Sequence, residues 1–248
     1  MSSSLVIIPT YNEKENIQDI LSAVLGLTEA FHILVVDDGS PDGTADLVIQ
    51  FKEAHPEKIH LLEREGKLGL GTAYIAGFKF GIEKEYDFIF EMDADFSHPP
   101  TDLPRLLAAC KSGGADMSVG SRYIKGGGVK NWGLNRLILS RGASFYVQMV
   151  SWMPVSDPTA GFVCYKREVL ERIDLDKIEF IGYAFQIEMK FAAYTSGFEI
   201  KEVPITFIDR EKGTSKMNLS IITEAITGVI QMRLKTLFKK APYSLKLT

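Results

Sequence analysis

Short apolar runs alternate with stretches of helical periodicity through the first 120 residues. Residues 5–8 read as a strand, and Ile17, Ile20, Leu21, Val24 and Leu25 fall on one face of a following helix, the spacing that packs a helix onto a sheet. Asn12 with Glu15 three residues on predicts a capping box for that helix. The scheme then repeats, with strands at 32–36, 59–62, 88–92 and 117–119 and helices at 44–51, 72–82 and 102–111. Strands that are apolar on both faces, each followed by a helix, predict an α/β fold with a mostly parallel central sheet flanked by helices. Ligands of such sheets bind outside the carboxyl ends of the strands, which singles out the loops to read for chemistry.

Beyond Gly120 the pattern changes. A glycine run, Gly126-Gly127-Gly128, precedes a long helix at 134–153, an irregular segment at 154–161 and a strand at 162–165. Helices are predicted at 167–173 and 184–196, then a strand at 199–208 interrupted by Pro204. Ile222, Ala225, Ile226, Val229, Ile230 and Leu234 predict a final helix over 219–238. No repeat, linker or composition break divides the chain. It reads as a single domain over 1–240, a nucleotide-binding half to about 120 and an acceptor-side half after it, with a tail at 241–248.

Composition narrows the classes. With 46% apolar residues, the 248-residue chain has material for one large core. The balance of 28 Lys+Arg against 32 Asp+Glu, a net charge of −4, argues against a nucleic-acid partner held by a basic surface. Two cysteines, Cys110 and Cys164, predict a reducing compartment and a buried place for both. No secretory pattern opens the sequence. The two longest apolar segments, 134–155 and 219–238, are broken by Arg136 and Arg141 and by Glu224, Arg233 and Lys235, so neither predicts a membrane span.

Three strand ends carry more polar residues than packing requires: Pro9-Thr10-Tyr11-Asn12-Glu13, Asp37 through Thr44, and Asp93-Ala94-Asp95. A parallel sheet brings them to one edge, where carboxylates repel one another unless a cation joins them. Asp93 and Asp95 leave their strand one residue apart and can share Mg²⁺ or Mn²⁺, hard ions that take further ligands from substrate phosphates. The alternative reading makes Asp95 the cap of the turn at Ser97-His98-Pro99-Pro100 and leaves Asp93 merely solvated. Asp38 can accept hydrogen bonds from a base edge or a ribose, Asp42 or Thr44 reads as the next helix's N-cap, and Asp37 reads equally well as structural. Lys67-Leu68-Gly69-Leu70-Gly71 lacks the spacing of a phosphate loop and reads as turn chemistry. Arg122, Arg136, Arg210 and Lys216 supply positive charge from the second half, the arginines as rigid forks suited to phosphate.

With these motifs in order over about residues 5–235, the sequence resembles the family two glycosyltransferases, and within them the polyprenyl- and dolichyl-phosphate mannosyltransferases. The resemblance rests on Ile8 through Glu13, Val36 through Thr44, Asp93 through Pro99, Gly120 through Tyr123, Asp157 through Phe162, and Asp209-Arg210 with Ser215-Lys216. It implies a GT-A fold and metal-dependent, inverting transfer of mannose from GDP-mannose to a polyprenyl phosphate. It also implies that Pro9, Tyr11, Glu13, Val36 and Asp38 hold guanosine, and that Asp93, Ala94 and Asp95 hold ribose, diphosphate and metal. Arg122, Arg210 and Lys216 would stand on the diphosphate and sugar side, and Arg136 on the acceptor phosphate. Asp95, Arg122, Arg210 and Lys216 are thus the candidate catalytic set, and Ser97 is a weak third metal ligand where some relatives carry Gln.

A UDP-glucose-dependent glucosyltransferase shares nearly every motif and is the alternative. A haloacid-dehalogenase-like phosphatase also uses Asp-x-Asp, but on the first strand of its chain, and a silent nucleotide-binding module is the third reading. The lipid acceptor implies attachment of a cytoplasmic protein to the cytoplasmic face of a membrane, through segment 219–238, segment 134–153 or a separate tethering subunit.

Overall fold

The computed structural model describes residues 3–182, 184–209, 219–238 and 242–245, with the side chains of the last helix described from 227 to 236. In chain order the elements are β1 (Ser4–Thr10), α1 (Ile17–Leu25), β2 (Phe31–Asp37), α2 (Thr44–Ala54), β3 (Ile59–Glu63), α3 (Leu70–Glu83), β4 (Phe88–Glu91), α4 (Leu103–Lys111) and β5 (Met117–Ser121). There follow β6 (Gly128–Lys130), α5 (Leu134–Ser151), β7 (Val163–Lys166), α6 (Arg167–Arg172), α7 (Ala184–Thr195), β8 (Ile200–Pro204), β9 (Thr206–Ile208) and α8 (Leu219–Phe238).

The main sheet has the order β3-β2-β1-β4-β7-β5-β8. Every pair is parallel except those of β7, which runs against both β4 and β5. Alternation along β1 explains the two layers. Leu5 and Ile7 enter the core that contains Leu34, Tyr74 and Phe78, while Val6 and Ile8 enter the opposite one with Ile20, Val24 and Val35. All four are fully buried, each worth about 1.5–3 kcal/mol of transfer free energy. On the first of these faces α3 lies close to the sheet because it has glycines where it crosses. A Cβ at Gly77 would stand 2.7 Å from Ile7, and one at Gly81 the same distance from Ile89.

Three details differ from the sequence reading. The Asn12–Glu15 capping box does not form: α1 starts at Ile17, and Asn12 sits at φ +60°. Longer-range bonds win there, because the backbone N–H groups of Asn12, Glu13 and Lys14 donate to Ser40, Thr44 and Asp42 of the loop after β2. The single strand expected at 199–208 is two. Pro204, without an N–H, ends β8, and β9 pairs in parallel with β6 in a separate ribbon that grows from the glycine run. The face expected of the last helix lies partly outside the described residues, since Ile222, Ala225 and Ile226 have no described side chains.

At the other end of the sheet, the Tyr86 hydroxyl lies 2.7 Å from His32 Nδ1 and 3.1 Å from His60 Nε2. One hydroxyl proton serves both contacts only if one ring accepts while the other donates, an arrangement of neutral imidazoles. Burial is the main cause lowering both histidines below 6.5, with Lys58 adding to it at His32 and the His32 charge at His60. The native state therefore binds fewer protons than the unfolded chain. This contribution to stability is complete above about pH 6.5 and is lost as pH falls through the folded values. Urea unfolding of His60→Phe is expected to show a shallower loss between about pH 7 and pH 5 than wild type, and parallel curves would remove the pair from the account.

Candidate active site

Because β1 lies between β2 and β4, the three polar strand ends meet on one rim, as the parallel sheet requires. The loop after β2 is held by its own carboxylates. Asp37, 1% exposed, accepts from Thr10 Oγ1 at 2.8 Å, Ser40 N at 2.8 Å and Ser40 Oγ at 2.6 Å, a structural role. Asp42 accepts from the N–H and hydroxyl of Thr44, but the N-cap of α2 is Gly43, in the left-handed region at φ +87°, and not Asp42 or Thr44 as the sequence predicts. Asp38 is buried against a residue the sequence reading did not name. Its Oδ1 receives Nε of Arg64 at 2.7 Å and a terminal nitrogen of the same fork at 2.5 Å, and its Oδ2 receives Leu68 N at 3.3 Å.

A cleft of about 980 Å³ opens beside this rim. Pro9, Glu13, Asp93, Ala94, Asp95 and Ser97 line it together with Arg122 and Arg136. Tyr11 stands off its wall with the Lys67 ammonium 4.9 Å from its ring centre. Val36 is fully buried in the core, so its side chain is not available to a base and the guanosine role implied for it is left to its backbone. Arg210 and Lys216 lie outside the described residues.

The acidic pair is shaped from below. Tyr74, carried on the closely packed α3, brings its hydroxyl to 3.4 Å from Asp93 Oδ1. The backbone N–H of Asp93 donates to His98 Nδ1 at 3.3 Å, and Asp95 Oδ1 accepts Ser97 N at 3.1 Å, so Asp95 does organise the turn. Burial pushes His98 down to about 4, and its ring lies stacked on Phe162 at 5.1 Å. Although it is 3.7 Å from Asp93 Oδ2, the imidazole is neutral at physiological pH and is not an ion-pair partner. The carboxylates are therefore not compensated by His98. Ser97 Oγ, on the cleft wall and buried, has no hydrogen-bond partner among the described residues. Two carboxylates and an orphaned hydroxyl oxygen make a donor set for a hard divalent cation. Among the described residues no group of three His, Cys, Asp or Glu stands together as a metal site.

Arg122, also on the cleft lining, is clamped by Asp157. Nε and a terminal nitrogen reach the two carboxylate oxygens at 2.7 and 2.6 Å, the Arg122 backbone N–H donates to Oδ2 at 3.0 Å, and Thr159 Oγ1 lies at 2.8 Å. The guanidinium also lies 5.1–5.6 Å from the ring centres of Tyr123, Trp132 and Phe207. Arg136 pairs with Asp209 at 2.7 Å and lies 4.1 Å from the Trp132 ring centre. From α5 and α7 come Ile138, Leu139, Ala143, Tyr146 and Ile187, an apolar wall beside these charges.

Beneath the cleft lies a buried network with no direct sign in the sequence. Glu91 is completely buried, accepting from Tyr165 Oη at 2.6 Å and from Gln186 Nε2. Burial raises it to about 7, offset in part by Lys190, Tyr165 and Gln186. Lys190, equally buried, is lowered to about 8 by the same cause, with Glu91 and Asp157 opposing.

Residues 5–174 match the family model described as Glycosyl transferase family 2. The chain is 49% identical over 228 residues to "Polyprenol monophosphomannose synthase" of Mycolicibacterium smegmatis, covering 92% of this chain and 86% of that one. It is 45% identical over 225 residues to "Undecaprenyl-phosphate mannosyltransferase" of Micrococcus luteus, covering 91% of each. Among solved structures, glucosyl-3-phosphoglycerate synthase from Mycobacterium tuberculosis, crystallised with Mn²⁺, UDP and glucosyl-3-phosphoglycerate, superposes with a TM-score of 0.64 at 17% identity, covering 99% of this chain and 82% of that one. A complex of that enzyme with phosphoglyceric acid gives 0.65 at 18%, with the same coverage. At these identities the likeness is one of fold.

Proposed function

The chain belongs to glycosyl transferase family 2, enzymes with the GT-A fold described above, and from that premise we propose that it transfers mannose, with inversion, from GDP-mannose to a polyprenyl phosphate. One observation carries the reading: a single cleft is lined by the Asp93–Asp95 pair, by Arg122 and Arg136, and by the apolar side chains Ile138, Leu139 and Ala143 that follow Arg136 along α5. A phosphate joined to an isoprenoid chain presents that sequence of charge followed by hydrocarbon. The names of the two relatives agree with it in acceptor class and in sugar.

The chemistry asks little of the protein beyond placement. A phosphomonoester has its second pKa at about 6, so the acceptor oxygen is already anionic and needs no obligatory general base. Arg136, braced by Asp209 and Trp132, holds that phosphate. Arg122, fixed in orientation by Asp157, meets the donor diphosphate, and Arg210 and Lys216 join it there. Asp93 and Asp95, with Ser97 Oγ, would hold Mg²⁺ or Mn²⁺, which when bound supplies positive charge to the leaving diphosphate. Pro9, Tyr11, Glu13 and Asp38 serve the nucleoside, with Arg64 setting the direction in which the Asp38 carboxylate faces.

Incubating the protein with Mn²⁺ or Mg²⁺, labelled GDP-mannose or UDP-glucose, and a short polyprenyl phosphate tests this directly. Label is expected in the lipid extract with GDP-mannose. Label only with UDP-glucose would reassign the donor, and free phosphate released from aryl phosphates would reassign the reaction.

No helix among the described residues is long and apolar enough to cross a membrane. Instead α5 leaves Leu134, Ile138, Phe145 and Met149 more than half exposed, and Trp152 follows at its end. Such a patch beside the apolar wall fits contact with a lipid surface, where each side chain inserted contributes about 1.5–3 kcal/mol. Phe145→Glu/Met149→Glu is expected to lower co-sedimentation with anionic vesicles at least tenfold while retaining transfer to a short, dispersed acceptor. Undiminished sedimentation would place the membrane contact elsewhere.

A further inference from the structure

Lys190 is spent on nothing in the reaction just described, yet it sits fully buried on α7 directly under the cleft. Its three ammonium protons have three acceptors: the Ala160 carbonyl at 2.6 Å, the Gln186 carbonyl at 3.0 Å and Gln186 Oε1 at 3.3 Å. The other end of the Gln186 amide donates to Glu91, the last residue of β4, two residues before Asp93. Ala160 belongs to the loop of Asp157, and its N–H donates to the Asp157 carbonyl at 3.2 Å. A connected path therefore runs from the strand that presents the acidic pair, through Glu91, Gln186 and Lys190, to the loop that clamps Arg122.

Taking an ammonium and a carboxylate out of water costs several kcal/mol per ion, and apolar side chains of like volume commonly serve a core as well or better. Packing alone does not account for charges here. We propose that Lys190 is a positioning residue for the transfer: by holding the Ala160 carbonyl it fixes the loop at 157–161 against β4, so that the Arg122 guanidinium and the Asp93 and Asp95 carboxylates keep one separation across the cleft. This rests on the reading that both sides of the cleft meet one donor diphosphate. Misplacement by about 1 Å costs roughly 100-fold in rate, which sets the size of the effect.

Lys190→Met alone also removes the charge that favours ionised Glu91, so it changes two groups at once and is a poor test. Glu91→Gln/Lys190→Met removes both charges and keeps an amide for Tyr165 and Gln186 to meet. Wild type is assayed first with Mn²⁺, labelled GDP-mannose and a short polyprenyl phosphate, and a wild type that moves no label contradicts the proposed function rather than the role of Lys190. With wild type active, the double variant is expected to show cooperative unfolding, a donor KM within about threefold, and a kcat lower by roughly 100-fold. Adding Asp157→Asn to it is expected to cost little further kcat, because both changes release the same loop. Wild-type kcat in the double variant, or a multiplicative loss on adding Asp157→Asn, would show that Lys190 only balances Glu91. If the double variant does not fold, Glu91→Gln/Lys190→Gln, which keeps a donor near Ala160, replaces it. There a kcat lowered about tenfold at unchanged KM supports the role, and wild-type kcat overturns it.

Discussion

Asp95→Ala is expected to lower sugar transfer by about 1,000-fold while the fold persists. A bound divalent ion contributes several kcal/mol to stabilising a departing oxyanion, and about 4 kcal/mol corresponds to that factor. The fold survives because Asp95 lies at the partly exposed rim, where its bond to the Ser97 N–H is worth about 1 kcal/mol. The measurements are initial rates across a Mn²⁺ titration, calorimetric Mn²⁺ binding in the presence of GDP, and thermal unfolding. Loss of rate and of metal binding at a nearly unchanged melting temperature is the expected result. Near-normal turnover would refute the assignment of the metal to this pair.

The largest effect on stability is expected at Asp157. It is fully buried and offers its carboxylate to three nitrogens of Arg122, while its own N–H donates to Glu202. Asp157→Ala leaves a guanidinium with 10% of its side chain exposed and no counter-charge at that position. Breaking one partner of such a pair costs about 3–5 kcal/mol, which for a chain of this length lowers the melting temperature by roughly 10 °C. The aromatic faces of Tyr123, Trp132 and Phe207 limit the loss without replacing a bidentate acceptor. Asp157→Asn keeps one oxygen acceptor and is expected to fall between alanine and wild type. A melting temperature within about 2 °C of wild type for Asp157→Ala would mean that the clamp carries little of the stability.

The alternation of apolar runs with helical faces gave the order of elements and the parallel rim, and the rim pointed to Asp93 and Asp95. Both follow from short-range periodicity. The final helix, expected at 219–238, spans Leu219–Phe238. What periodicity does not carry is direction. Val163–Lys166 is a short strand with its first three residues buried, and its pattern is the same whichever way it runs. The β6–β9 ribbon was hidden for a related reason, because a glycine run has no face. Arg64 was one charge among many until β3 placed it beside Asp38, 26 residues away. Glu91 and Lys190 are a different matter, since a buried charge has no sequence signature apart from its apolar neighbours. Those neighbours were visible. Glu91 interrupts Phe88-Ile89-Phe90 and Met92, and every residue of α7 from Ala184 to Ala193 is buried, Gln186, Glu188 and Lys190 included. A carboxylate inside an apolar strand, read together with polar residues on a helix lacking a solvent face, was the available clue.

The reversed strand also governs how the molecule tolerates change. The chain leaves the sheet at the end of β5 and re-enters at the start of β7, and these two strands are hydrogen-bonded neighbours. Residues 122–162, with α5 and its exposed apolar patch, thus form a detour whose departure and return points are pinned side by side. Lengthening or recasting the part beyond β6 draws no strand of the main sheet out of register, because the closure entropy of a loop grows only slowly with its length. Such an architecture lets the detour be remodelled while the parallel half of the sheet, β1 to β4, stays as it was.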